Sequence, residues 1–141
     1  MESILNPDIH IATPYPGVAR RVKALFTDTL VMILFMMLFT ALFAQFENVA
    51  DEARAVAIIF IFLLYDPLFT SLTGATIGHR LFGLRVRDEQ EPTKNINFFK
   101  AIVRFLIKAF LGWISLLTVQ GNSKRKAMHD LVVGSVVVFA D

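Results

Sequence analysis

Asp66 and Pro67 stand together inside an apolar run that carries no other formal charge between Arg54 and His79. A carboxylate at the centre of a spanning helix costs about 2.5–3.5 kcal/mol on insertion scales, so it needs a partner or a task. Pro67 supplies no N–H and crowds the carbonyl of Leu63, which predicts a kink or break beside the acid. An acid next to freed backbone oxygens is a candidate site for a proton or a monovalent cation. The alternative is a lock, with Asp66 paired to a basic residue on a neighbouring helix.

Other charges could join such a site. Arg21 and Asp28 lie two helical turns apart, on one face and about 10 Å apart in height. Lys100, Arg104 and Lys108 recur every four residues and stripe an otherwise apolar helix. Arg104 can meet Asp28 or Asp66, and Asp28 is either a second candidate ion or proton site or the gate partner of Arg104 and Lys108. Asp130 with Arg21 is a candidate pair closing one end. Gly74 and Gly78 read as a glycine-rich helix exit, a simpler account than a small-xxx-small dimer face, so Pro67, Gly74 and Gly78 are the predicted helix breaks.

Soluble-enzyme chemistry is missing. His10, His79 and His129 are far apart, without metal-ligand spacing. No Ser or Cys nucleophile stands out beside His129–Asp130, which reads as a cap paired to Arg or Lys. Gly74-x-x-x-Gly78 follows a hydrophobic helix rather than a strand, so it is no dinucleotide fingerprint. The absence of cysteine removes disulfides, Fe–S clusters and thiol catalysis. The expectation is a non-enzyme with no metal and no cofactor.

The elements that must hold these charges are membrane helices. Of 141 residues, 55% are hydrophobic and 14 are Phe, and mean hydropathy is +0.59, outside the range of ordinary soluble domains. Basic residues flank apolar runs, which suits lipid headgroups rather than nucleic acid. Residues 1–17 read as a polar arm and 18–141 as one membrane domain, with no cleavable signal peptide. Spans are predicted at about 22–46 and 55–75, separated by the acidic loop Glu47–Arg54. Arg20, Arg21 and Lys23 place the N-terminus in the cytoplasm of an inner-membrane, multi-pass protein. The third hydrophobic region, 98–120, reads as a partial or broken crossing with a break near Gly112. A full crossing would carry Lys124, Arg125 and Lys126 to the wrong side. Trp113 is then a core residue, or an interfacial anchor if the region spans. Gly83–Asp88 and Gly134–Phe139, the latter within a terminal segment 129–141, are short β-prone pieces that can pair as a surface ribbon. The fold class is all-α membrane protein: two full transmembrane helices, a third broken, re-entrant or spanning helix, and a possible short β ribbon.

Three patches in order, ARRVKALFTD, TGATIGHRLFGLRV and KRKAMHDLVVGSVVV, resemble the RDD family of small bacterial integral membrane proteins. Arg21, Asp28 and Asp130 stand where the family has its name-giving arginine and two aspartates. His79 replaces the usual Lys or Asn of the glycine signature. Val133 and Ser135 replace Ala and Thr of the closing H-D-x-x-A-G-T pattern. The resemblance implies monovalent-cation/proton antiport for some members. The two expected functions are therefore cation/proton transport through intramembrane carboxylates and a non-transport scaffold or accessory subunit with structural ion pairs. Two or three helices cannot enclose an alternating pathway, so transport implies a homo-oligomer, with a dimer the expected form, among membrane lipid.

Overall fold

The computed structural model describes residues 14–140, so most of the predicted polar arm, and His10 with it, lies outside the described residues. Helix α1 spans Val18–Phe43 and α2 spans Asp51–Thr73. Asp51 and Glu52 occupy the first turn of α2, where the helix dipole favours acids. A short helix α3, Ile77–Leu81, and strand β1, Leu84–Asp88, follow. Next come α4, Phe98–Leu111, and a 3₁₀ stretch, Gly112–Gly121. The last elements are α5, Met128–Val133, and strand β2, Ser135–Phe139. Long apolar helices form at the two predicted spans, with ends at Val18–Phe43 and Asp51–Thr73, and the two-stranded ribbon forms. Helices α3 and α5 are too short for a hydrophobic period to reveal them in the sequence.

The interior is inverted relative to a soluble domain. On α1 the buried residues are Arg21, Ala24, Asp28 and Met32, a stripe at helical spacing. Large apolar side chains point outward: Phe26, Leu34, Met37, Phe60 and Leu72 are all at least 60% exposed. Three segments, Val18–Phe43, Asp51–Thr73 and Phe98–Gly121, are long and apolar enough to cross a membrane. Apolar surface facing outward over buried charge is stable where the surroundings are hydrocarbon.

One end of the helix pair carries the larger apolar cluster among the described residues. Strands β1 and β2 pair antiparallel with Val86 opposite Val137 and Leu84 opposite Phe139. Leu84, Val86 and Val137 turn inward onto Ala24, Ile96 and Ala101, while Arg85 points out, the period-2 alternation of a half-buried ribbon. Gly74 ends α2 in the left-handed region, φ 76°, and its carbonyl accepts a bond from the Val86 N–H at 2.7 Å. Asn95 donates to the carbonyls of Ser71 and Leu72, capping the same helix end. Two residues later, the Asn97 side chain accepts from the Lys100 N–H and starts α4.

The third hydrophobic region leaves this end and returns to it. Lys100, in the first turn of α4, meets Asp88 at 2.6 Å. Beyond the 3₁₀ stretch, Lys124 and Lys126 meet Glu89 at 2.8 and 2.5 Å. Asp88 and Glu89 are chain neighbours, so both ends of the region are tied to one place. The reversal occurs at Gly112, whose φ 53°, ψ −133° leaves the helix. The two legs match in reach: 14 α-helical residues rise about 21 Å and ten 3₁₀ residues about 20 Å. Each is shorter than the hydrocarbon core of about 30 Å.

Three expectations need correction. Pro67 does not break α2, which runs through it without interruption. Only the bond to Leu63 is forfeited, and the packing of Tyr65, Asp66 and Pro67 holds the helix together. Gly78 is likewise no break; it lies inside α3, packed on α1. Trp113 is 68% exposed, not a core residue of the returning loop.

The fold predicts a labelling pattern. With no native cysteine, single Lys94→Cys and Lys124→Cys variants in sealed vesicles should react with a membrane-impermeant thiol reagent from the same side. Glu47→Cys should react from the opposite side. Labelling of positions 94 and 124 from opposite sides would establish a third crossing.

Candidate functional site: a buried charge network

Asp130 is the centre of the network. It sits in the first turn of α5, fully buried, and four donors converge on its two oxygens. Arg21 Nη1 and the Ala127 N–H reach Oδ2 at 2.7 and 3.3 Å. Arg104 Nε and Ser135 Oγ reach Oδ1 at 3.0 and 2.9 Å. A carboxylate has about four lone-pair sites, so this one is saturated. Burial by itself raises the Asp130 pKa, but the Arg104 and Arg21 guanidiniums outweigh it and hold the acid well below the usual carboxylate range. Arg21 also donates to the Arg125 carbonyl at 2.6 Å, and Arg125 adopts φ 47°, rare for a non-glycine residue.

Arg104 links this centre to Asp66, with Nη1 3.7 Å from Asp66 Oδ1. Lys108 closes on Asp66 Oδ2 at 2.6 Å and Thr70 donates to Oδ1 at 3.3 Å. The four-residue spacing of the basic stripe explains the arrangement: α4 presents Lys100, Arg104 and Lys108 along one face to Asp88, to Asp130 and Asp66, and to Asp66.

Asp28 finds different partners from those expected. Of the two roles the sequence offers it, the partnership with Arg104 and Lys108 does not form; Tyr65 Oη, Thr76 Oγ1 and the Gly78 N–H bond it at 2.9, 2.6 and 2.8 Å. With Asp28 ionised, the Thr76 hydroxyl must give it its only proton. The 2.6 Å contact between Thr76 Oγ1 and His79 Nδ1 then requires the proton on Nδ1. His79, 3.6 Å from Asp28, is thus fixed in one tautomer. Gly78 has a steric reason: a Cβ there would lie 2.2 Å from the Ala24 carbonyl and 2.7 Å from Asp28 Cγ. Only glycine lets α3 approach closely enough to offer its N–H.

Among the described residues the formal charges of this network balance, with Arg21, Arg104 and Lys108 against Asp28, Asp66 and Asp130. Three buried guanidinium nitrogens among the described residues lack a hydrogen-bond partner, Arg21 Nε and Arg104 Nη1 in this network and Arg54 Nε outside it. Among the described residues no cluster of His, Asp and Glu could hold a metal ion.

Asp28 and Asp66 also line a cleft of about 230 Å³ between α1, α2 and α4, walled by Met32, Met36, Phe62 and Phe105. Sequence reasoning missed Tyr65, Thr70, Thr76, Ser115 and Ser135. Thr76 and Ser135 were within reach, because both occupy hydroxyl positions of the quoted motifs. Ser115, buried on the 3₁₀ stretch, meets His129 Nδ1 in a very short contact, and nothing in its local sequence marks it.

Residues 15–134 match the RDD family. The chain belongs to the RDD family. With its apolar helices, this makes it a multi-pass membrane protein. No curated protein and no solved structure matches it. The geometry gives the family pattern a physical meaning in this chain: the arginine and second aspartate, Arg21 and Asp130, bond to each other, while the first aspartate, Asp28, is held by the glycine signature. Ser135, where the pattern has Thr, keeps the hydroxyl that Asp130 uses. His79, where it has Lys or Asn, keeps a donor beside Asp28.

Two outcomes are expected. Burial lowers the pKa of both histidines, His129 to about 3, so the unfolded chain binds more protons below its histidine pKa of about 6.5. Stability should be level above pH 7 and fall as pH drops from 6.5 towards 5, before ordinary carboxylates titrate, by up to about 1.4 kcal/mol per pH unit for His129, with His79 adding in the same direction. Thermal melts in detergent would show this, and His129→Gln should flatten the slope. Asp130→Asn leaves Arg21 and Arg104 short of a counter-charge, and should destabilise by about 3–5 kcal/mol, read as loss of monodisperse protein on extraction.

Proposed function

We propose that the protein is a membrane ion-exchange module in which a proton or a monovalent cation competes with the Lys108 ammonium for Asp66. The carrying observation is the asymmetry of the network. Asp130 is saturated and does not border the cleft, whereas Asp66 and Lys108 line it. An ammonium is a flexible point charge on a long stem, and it can swing away when another cation takes the carboxylate. Competition between a proton and a cation for the one carboxylate of Asp66 couples the binding of one to the release of the other. Asp28 and Tyr65 in the same cleft are a second polar station. Transport by this route needs further copies of the chain to complete the pathway. The basic N-terminal flank favours a cytoplasmic ribbon end, and the reading assigns no catalysis.

The charge balance supports a second reading, a membrane scaffold or accessory subunit. There Asp66–Lys108 is a lock of the same kind as Arg21–Asp130.

Proteoliposomes with a trapped pH dye separate the two. A Na⁺, K⁺ or Li⁺ pulse should shift internal pH for wild type, and Asp66→Asn should abolish the shift while still giving monodisperse protein. Absence of flux in wild type, with Asp66→Asn breaking the fold or the oligomer, would establish the lock.

A further inference from the structure

A second, smaller cavity lies at the centre of the network, about 20 Å³ in volume and lined by Arg21, Leu25, His79, Arg104, Lys108, Gly112, Leu116 and His129. Its size admits one water-sized guest. Two of the three residues with an unpartnered guanidinium nitrogen, Arg21 and Arg104, are in its wall and are at most 4% exposed, while the third, Arg54, lies outside it. Buried polar groups of this kind almost always have a partner, often an ordered water.

The two histidines in the wall are complementary. His79 carries its proton on Nδ1, as its bond to Thr76 requires, so Nε2 is an acceptor. Ser115 Oγ is fully buried, and His129 Nδ1 is the acceptor it meets among the described residues. Satisfying that hydroxyl makes Nδ1 of His129 the acceptor and puts its proton on Nε2, 3.8 Å from Asp130 Oδ1. One ring thus offers an N–H and the other a lone pair. The charge count decides the guest's nature: with three cations against three carboxylates already balanced, an anion would leave an uncompensated charge in a low dielectric.

We propose that this cavity is a binding site for a single water, which accepts from His129 Nε2–H and from an orphaned guanidinium and donates to His79 Nε2. The water joins the Asp130 half of the network to the Asp28 half as a directed hydrogen-bond relay. The site stands whether or not Asp66 exchanges ions.

The test is solid-state NMR of ¹⁵N-histidine-labelled protein in liposomes at pH 7, in a His10→Gln background so that two imidazoles remain. Expected are opposite neutral tautomers, with His79 unprotonated at Nε2 and His129 unprotonated at Nδ1, and magnetisation transfer from water to Nε2 of both rings. Leu25→Phe, which fills the cavity, should remove that transfer and leave the His79 tautomer in place. The same tautomer in both rings, a doubly protonated ring, chloride-dependent shifts, or absence of water transfer in the folded parent would each overturn the proposal. The parent spectrum decides even if Leu25→Phe does not fold.

Discussion

A carboxylate buried away from bulk solvent must be compensated where it stands, by donors the fold itself supplies. Asp130 answers this constraint most fully, and the rest of the chain is arranged to let it. Four donors reach it from α1, from α4, and from either end of α5. To deliver Arg104, the third hydrophobic region must start at the ribbon. To deliver α5, the chain must come back there, so the reversal at Gly112 is a condition of the charge network rather than an ornament of the loop.

The same logic separates two kinds of polar contact. Around Asp130 the partners are guanidiniums and backbone-linked donors, rigid groups with fixed directions. Around Asp66 the shortest bond comes from a flexible ammonium, and the carboxylate borders a cleft. Asp28 lies between these cases, bound by hydroxyls and one amide rather than by a formal cation. A graded series of this kind, from saturated to replaceable, gives a small protein both a fixed frame and a place where charge can change hands.

The ribbon has a comparable double role. It forms the larger of two apolar core clusters among the described residues, around Leu84, Val86 and Val137, and it carries Asp88 and Glu89, which hold the two ends of the third region. Ser135, the first residue of β2, is also a ligand of Asp130. Surface pairing of two five-residue strands is marginal alone. Here it is secured by helices whose own ends it caps, since Gly74 bonds Val86 and Asn95 closes α2.

Much of this was legible in the chain. Hydropathy and length determined the spans, alternation determined the strands, and the four-residue recurrence of Lys100, Arg104 and Lys108 showed that one helix face would seek acids. The motifs determined the family, and the basic residues after the third region already argued against a full crossing. These are local or periodic signals. Only the tertiary structure decided which cation meets which acid: Asp28 looked equally suited to Arg104 and Lys108, yet took Tyr65, Thr76 and the Gly78 amide. Pairing depends on which side chains share a height and a face after the helices cross, and on close approaches such as Gly78 against Ala24 that no spacing encodes. Pro67 failed to break its helix for the same reason, because packing outweighed one lost hydrogen bond.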